Sequence, residues 1–212
     1  MRSDKGKRQI REVRNQAIVD ENMLADGQLD EFFLANIGPA IGRRSLVTEQ
    51  NVASIVMFVE DGNQNILLTG DARDDDIVEQ LIDSGISDNN GFVHVNVLKI
   101  QHHGSENNFS RGFAKHVTAD HYIFCGNGEH ENPDHRTVRH VIDSRLGGAT
   151  TRSPNPQTPN RFKLWFNADS NVDDGDAAVM HELENIVQDS AANSSGQMAF
   201  RFTSNRSFSF SP

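Results

Sequence analysis

Cysteine is nearly absent: Cys125 alone occurs in 212 residues. One thiol excludes an intramolecular disulfide framework and a cysteine-cluster metal site, and it fits a reducing compartment, with cytoplasm the expectation. Long apolar runs are missing as well. The longest, "SIVMFV" at 54–59, falls far short of the roughly 20 residues that cross a bilayer, which argues against a membrane span. The basic start "MRSDKGKRQIREVRNQ" has no apolar run behind it and does not read as a secretory signal. Positive charge is in deficit, with 20 Lys and Arg against 30 Asp and Glu and a formal net charge of -10. That balance disfavours broad attraction to nucleic acid or anionic membrane and leaves only a local basic groove for the former. Histidine is missing from the first 93 residues and begins at His94.

What is present is a globular composition, 36% hydrophobic and 24% charged, with Phe dominating the aromatics. The length suffices for one good-sized domain or two small ones with a substantial core. Residues 1–50 carry scattered apolar positions up to about residue 35, consistent with a loosely amphipathic helix or two, and then the Gly- and Pro-broken connector "NIGPAIGRRS". Residues 51–148 alternate strand and helix signals. "ASIVMFV", the turn "DGN" and "NILLTG" predict a hairpin, and "DDDIVEQLIDSG" predicts a helix with acids at its start and Gly85 at its end. "FVHVNVLKI" and "DHYIFCG" predict strands, "SRGFAKHV" a short helix capped by Ser110 or Asn108, and "NPDHRTVRHVIDSRLGG" a further helix. Residues 149–212 open on the Pro-rich "TTRSPNPQTPN", read as a linker or surface loop. They end in the period-two runs "RFKLWFN" and "MAFRFTSNRSFSF", strand candidates separated by an acidic, Asn- and Ser-rich insert. The fold class expected is α/β, with a mixed sheet and flanking helices.

Two apolar runs end on groups that bind metals. Asp71 follows "ILLTG", and His102 and His103 follow "NVLKIQ". Carboxyl ends of strands in open α/β sheets are where ligands bind, and neutral imidazole is a common zinc ligand. If His102 and His103 continue an extended strand they face opposite ways, so one would touch the metal and the other support it. A carboxylate and an imidazole fall short of the three or four protein ligands that zinc usually takes, and His135 and His130 are the further candidates.

The combination "N-x-x-S-[IV] … LTGD … LK-x-x-HHGS … NP", spread over residues 51–148, resembles the C-terminal half of a metallo-β-lactamase-fold hydrolase. The branch it is most similar to holds the hydrolase domain of bacterial DNA-uptake channel proteins. The resemblance implies an αββα sandwich with two metal ions, usually zinc with manganese as the alternative, at its edge. Those ions would activate water for attack on an ester or phosphodiester. It implies that Asp71 bridges the two ions, that a histidine of the His102–His103 pair binds the second, and that both act in catalysis. Asn51 and Ser54 lie where some relatives carry another metal-binding histidine. The family's "HxHxDH" motif, which supplies most ligands of the first ion, does not occur in this chain. A truncated chain is the expectation, ahead of a split protein completed by a second chain carrying "HxHxDH" and of a catalytically silent scaffold. The substrate expected is a small molecule or phosphodiester, and the net charge does not support nucleic acid.

Other signals read as structural. "DSNVDDGDAAVMHE" places its Gly one residue late for a calcium loop and has Met180 where the closing Glu belongs. Ser105 has no G-x-S-x-G elbow around it, and Cys125 reads as a small apolar residue at a strand end. Arg136, Arg139 and Arg145 punctuate one helix as a solvated face or a small basic surface toward phosphate.

Overall fold

A computed structural model describes residues 54–203, which lie in one compact unit. The helix and connector expected over 1–50, and the end of the last expected strand, lie outside the described residues.

The hairpin forms as its turn chemistry predicts: β1 (Met57–Asp61) and β2 (Gln64–Leu68) pair antiparallel, with Asp61 opposite Gln64 and Gly62 at φ +62° between them. α1 (Asp74–Asp83) carries Asp74, Asp75 and Asp76 in its first turn, where negative charge meets the positive helix end, and buries Ile77 and Leu81. β3 (Val93–Lys99) follows, then α2 (Arg111–His116). The cap of α2 is Ser110, whose hydroxyl accepts from the Phe113 N–H at 3.1 Å. β4 (Val117–Phe124) starts three residues earlier than "DHYIFCG" suggested, because Val117 and Ala119 are buried and pair with Val93 and Val95. α3 (His135–Leu146), β5 (Phe162–Phe166), α4 (Ala177–Ala192) and β6 (Met198–Phe202) complete the order.

All six strands form one sheet in the order β1-β2-β3-β4-β5-β6, antiparallel only between β1 and β2. Each parallel connection leads to the next strand on the same side. With right-handed crossovers this stacks the four helices on one face, and contacts between α1 and α2, α2 and α3, and α3 and α4 agree. The protein is therefore α/β, a mixed six-stranded sheet with flanking helices. The residues after the Pro-rich stretch belong to this sheet: β5 pairs with β4 from His121–Lys163 to Phe124–Phe166. The core includes Leu67, Leu98, Tyr122, Leu164 and a stack in which the Phe166 ring lies 4.8 Å from Phe124 and 4.2 Å from Phe202. Burying each such side chain contributes about 1.5–3 kcal/mol. Among the described residues no helix is long and apolar enough to cross a membrane.

The acidic insert contains the longest described helix, which its composition concealed. In α4 the buried Met180, Leu183 and Val187 recur at spacings of three and four, a stripe sufficient to dock it although its other faces are polar. Asp176 caps it by accepting from the N–H groups of Ala178 and Val179 at 2.9 and 3.1 Å. The stretch likened to a calcium loop thus ends as a helix start.

Asp74 is buried where α1 meets α2, accepting from the N–H groups of Ser110 at 3.0 Å and Asp75 at 2.9 Å. Burial pushes its carboxyl up to about 6. A carboxyl raised in the folded state contributes stability below its unfolded value near 4, and that contribution is lost as pH rises through about 6. The shift corresponds to roughly 3 kcal/mol. Urea unfolding at pH 4 to 7 checks this: Asp74→Asn is expected to gain on the wild-type protein steadily as pH rises through that window, and to hold a constant difference above it.

Candidate functional site

β2 and β3 end side by side, Leu68 in register with Lys99, so the Asp71 turn and the His102–His103 turn leave the same sheet edge as neighbours. Hydrogen bonds join them: Thr69 Oγ1 donates to the Lys99 carbonyl at 2.6 Å, and the His102 N–H to the Gly70 carbonyl at 3.1 Å. Asp71 is half-buried, its N–H donates to Ser54 Oγ at 3.2 Å, and its carbonyl accepts from Asn108 Nδ2 at 3.0 Å. Ser54 thus fixes the Asp71 backbone through its hydroxyl.

His102 and His103 do not continue the strand. They form a tight turn, His102–Gly104, with φ of +42° and +56°. Left-handed backbone at two non-glycine residues costs on the order of 1–3 kcal/mol each and persists where the surroundings hold it. Here the Gly104 N–H donates to the Gln101 carbonyl at 2.8 Å and the Ser105 N–H to the His102 carbonyl at 2.9 Å. Opposite-facing side chains, expected for an extended strand, therefore do not apply: the ring centroids lie 6.0 Å apart at a 57° tilt, and both rings border one cleft. His103 Nδ1 is 2.6 Å from the Cys125 carbonyl. A carbonyl only accepts, so Nδ1 bears the proton and Nε2 the lone pair. His102 Nδ1 lies 2.7 Å from Asn108 Oδ1.

The cleft, about 1100 Å³, runs from the two histidines across the carboxyl ends of β4 and β5. Seven Asp and Glu residues line it, among them Asp134 and Asp169, so it attracts cations and repels a polyanion. Asp134, whose Oδ2 accepts from the Glu106 N–H at 3.1 Å, has its carboxyl raised by burial. Burial also pushes the Cys125 thiol up, away from the reactive thiolate. Ser105 Oγ accepts from the Asn107 N–H at 3.3 Å, as a turn hydroxyl does.

His135 follows Asp134 but is not among the residues that line the cleft. It opens α3 with Nε2 3.2 Å from the Val179 carbonyl and Nδ1 3.7 Å from a Glu182 carboxylate oxygen, against α4. His130 borders the cleft and is exposed, 3.8 Å from Glu129. Arg136 pairs with Glu106 at 3.0 Å on the surface, whereas Arg145 is buried and belongs to no basic face. Asn108, which the sequence offers as a cap of the short helix, is buried against His102 and Asp71, a placement that depends on a chain reversal that spacing does not reveal.

Among the described residues no group of three His, Cys, Asp or Glu is arranged to hold a metal ion. An imidazole whose Nδ1 meets an oxygen acceptor is the usual state of a metal-binding histidine, and Nδ1 of both His102 and His103 meets one. Zinc takes three or four protein ligands, so the described residues fit part of a ligand set. Fold and site together define an α/β protein in which the Asp71 turn and the His102–His103 turn are neighbours at the carboxyl ends of two parallel strands, with both histidines, though not Asp71, lining the cleft. No family model, curated protein or solved structure matches the chain.

Proposed function

We propose that this chain carries the C-terminal half of a metallo-β-lactamase-like αββα sandwich and part of the metal centre of a metal-dependent hydrolase. The observation that carries the reading is the convergence of the Asp71 turn with two imidazoles, each set with Nδ1 against an oxygen, at adjacent strand ends. A sheet with its helices on one face is also one half of a four-layer sandwich. Asp71, His102 and His103 would hold zinc or manganese, and a polypeptide segment bearing "HxHxDH", on a second chain or a longer form of this one, would complete the set. A bound ion supplies Lewis acidity and lowers the pKa of water so that hydroxide forms near neutral pH.

The chain's own residues fix position and charge. The Cys125 carbonyl orients His103, Ser54 and Asn108 hold the Asp71 backbone, and the carboxylates of the cleft concentrate cations. The same carboxylates disfavour a long nucleic acid and favour a small ester or a short phosphodiester.

The test is zinc- or manganese-dependent hydrolysis of a bis-aryl phosphodiester by the full chain, alone and with an "HxHxDH" polypeptide encoded beside it. Asp71→Ala is expected to lower the metal-dependent rate by about 10²-fold or more. A wild-type rate that is nil under both conditions, with the polypeptide bound, would instead establish the silent scaffold.

A further inference from the structure

We propose that Asn108 is a positioning residue: its carboxamide sets the tautomer of His102 and locks the Asp71 turn to the His102 turn, making one unit of two strand-end loops. The metal role of His102 rests on the function proposed above, whereas the tautomer and the lock do not.

Asn108 is fully buried. Its Nδ2 donates to the Asp71 carbonyl at 3.0 Å and reaches the Ala72 carbonyl at 3.5 Å, across 37 and 36 residues of chain. Carbonyl oxygens accept and never donate, so the amide nitrogen must face them, and this fixes the amide orientation. Oδ1 is thereby turned toward His102 Nδ1, at 2.7 Å. An acceptor there requires the proton on Nδ1, which leaves the lone pair on Nε2. A flipped amide could still donate to an unprotonated Nδ1, but it would set its oxygen against the carbonyl oxygens of Asp71 and Ala72 and lose both of those bonds.

Asn108 is itself held firmly. Its carbonyl accepts from Gln101 Nε2 at 2.9 Å, its N–H donates to the Ser105 carbonyl at 3.2 Å, and Gln101 is fully buried. A carboxamide that cannot turn holds the ring that cannot choose. Aspartate at 108 would keep the acceptor for His102 and lose the donor for the Asp71 turn; leucine, of similar size, would lose both. The two functions of the amide are therefore separable by substitution.

The test is long-range ¹H–¹⁵N correlation NMR of imidazole nitrogens in the full chain, without metal, at a pH where the rings are neutral. Wild-type His102 is expected as the Nδ1–H form. Asn108→Leu is expected to lower the population of the Nδ1–H form, while His103, held by the Cys125 carbonyl, stays unchanged and reports an intact turn. Asn108→Asp is expected to restore the Nδ1–H form. In zinc titrations Asn108→Leu is expected to weaken binding about 10- to 100-fold. An Nε2–H wild-type His102 overturns the proposal without any variant, so a leucine variant that fails to fold leaves it falsifiable. An unchanged His102 signal in a folded Asn108→Leu protein overturns it as well. Should the tautomer be as stated while zinc does not bind, the metal reading fails and the positioning role stands.

Discussion

Arg145→Ala is expected to destabilise the protein by about 3–5 kcal/mol, the largest effect of any single substitution considered. The side chain is 2% exposed on α3. Nη1 donates to the Ala119 carbonyl and, at 3.2 Å, to the Tyr122 hydroxyl of β4. Nη2 donates to the carbonyls of Pro159 at 2.6 Å and Arg161 at 3.2 Å, on the approach to β5. The guanidinium also lies 4.7 Å from the Phe162 ring centroid. One planar fork thus ties α3, β4 and the β5 loop together, and truncation strands buried acceptors in a cavity. Lysine, a single point donor, cannot reach both sides, so Arg145→Lys is expected to cost nearly as much. Urea denaturation followed by circular dichroism decides it. A loss under about 1 kcal/mol would mean that water reaches those carbonyls.

Gly104→Ala is expected to damage the site and the fold together. Gly104 has φ +89°, and an added Cβ would stand 2.9 Å from Pro133 Cβ and 3.3 Å from the Phe124 ring. Its carbonyl accepts from the Asp134 N–H at 3.1 Å, so displacement here carries into the start of α3 as well as into the histidine turn. Left-handed strain of about 1–2 kcal/mol and overpacking of about 1–3 kcal/mol give an expected loss of roughly 2–5 kcal/mol. Gly148 has nothing within 4 Å of an added Cβ and no positive φ, so Gly148→Ala should stay within about 0.5 kcal/mol. Equal effects at the two positions would show that the packing around Gly104 yields.

These two positions show where the sequence was readable. Gly104 follows two histidines at a strand end, and a tight turn there was legible from local chemistry. Its contact with Pro133 was not, since the two meet only because β3 and β4 lie side by side. The hairpin at Gly62, the acidic start of α1 and the Ser110 cap were legible for the same local reason. Arg145 reads as one of three arginines on a helix surface until Pro159 and Arg161 close over it from the far end of the next loop. α4 was obscured because its three buried residues sit in an acidic, polar stretch whose average conceals the stripe. In the site, Asp71 and the two histidines were legible as strand-end groups. The left-handed turn that aims both rings into one cleft was not, nor was the amide of Asn108 beneath them.

The central claim is that Asp71, His102 and His103 form a metal-binding edge. Zinc titration of the full chain by calorimetry, with Asp71→Ala, His102→Ala and His103→Ala in parallel, tests it most directly. Saturable, stoichiometric binding that Asp71→Ala and at least one histidine substitution weaken about 10-fold or more is the result predicted. No stoichiometric uptake, or uptake indifferent to all three substitutions, would contradict it.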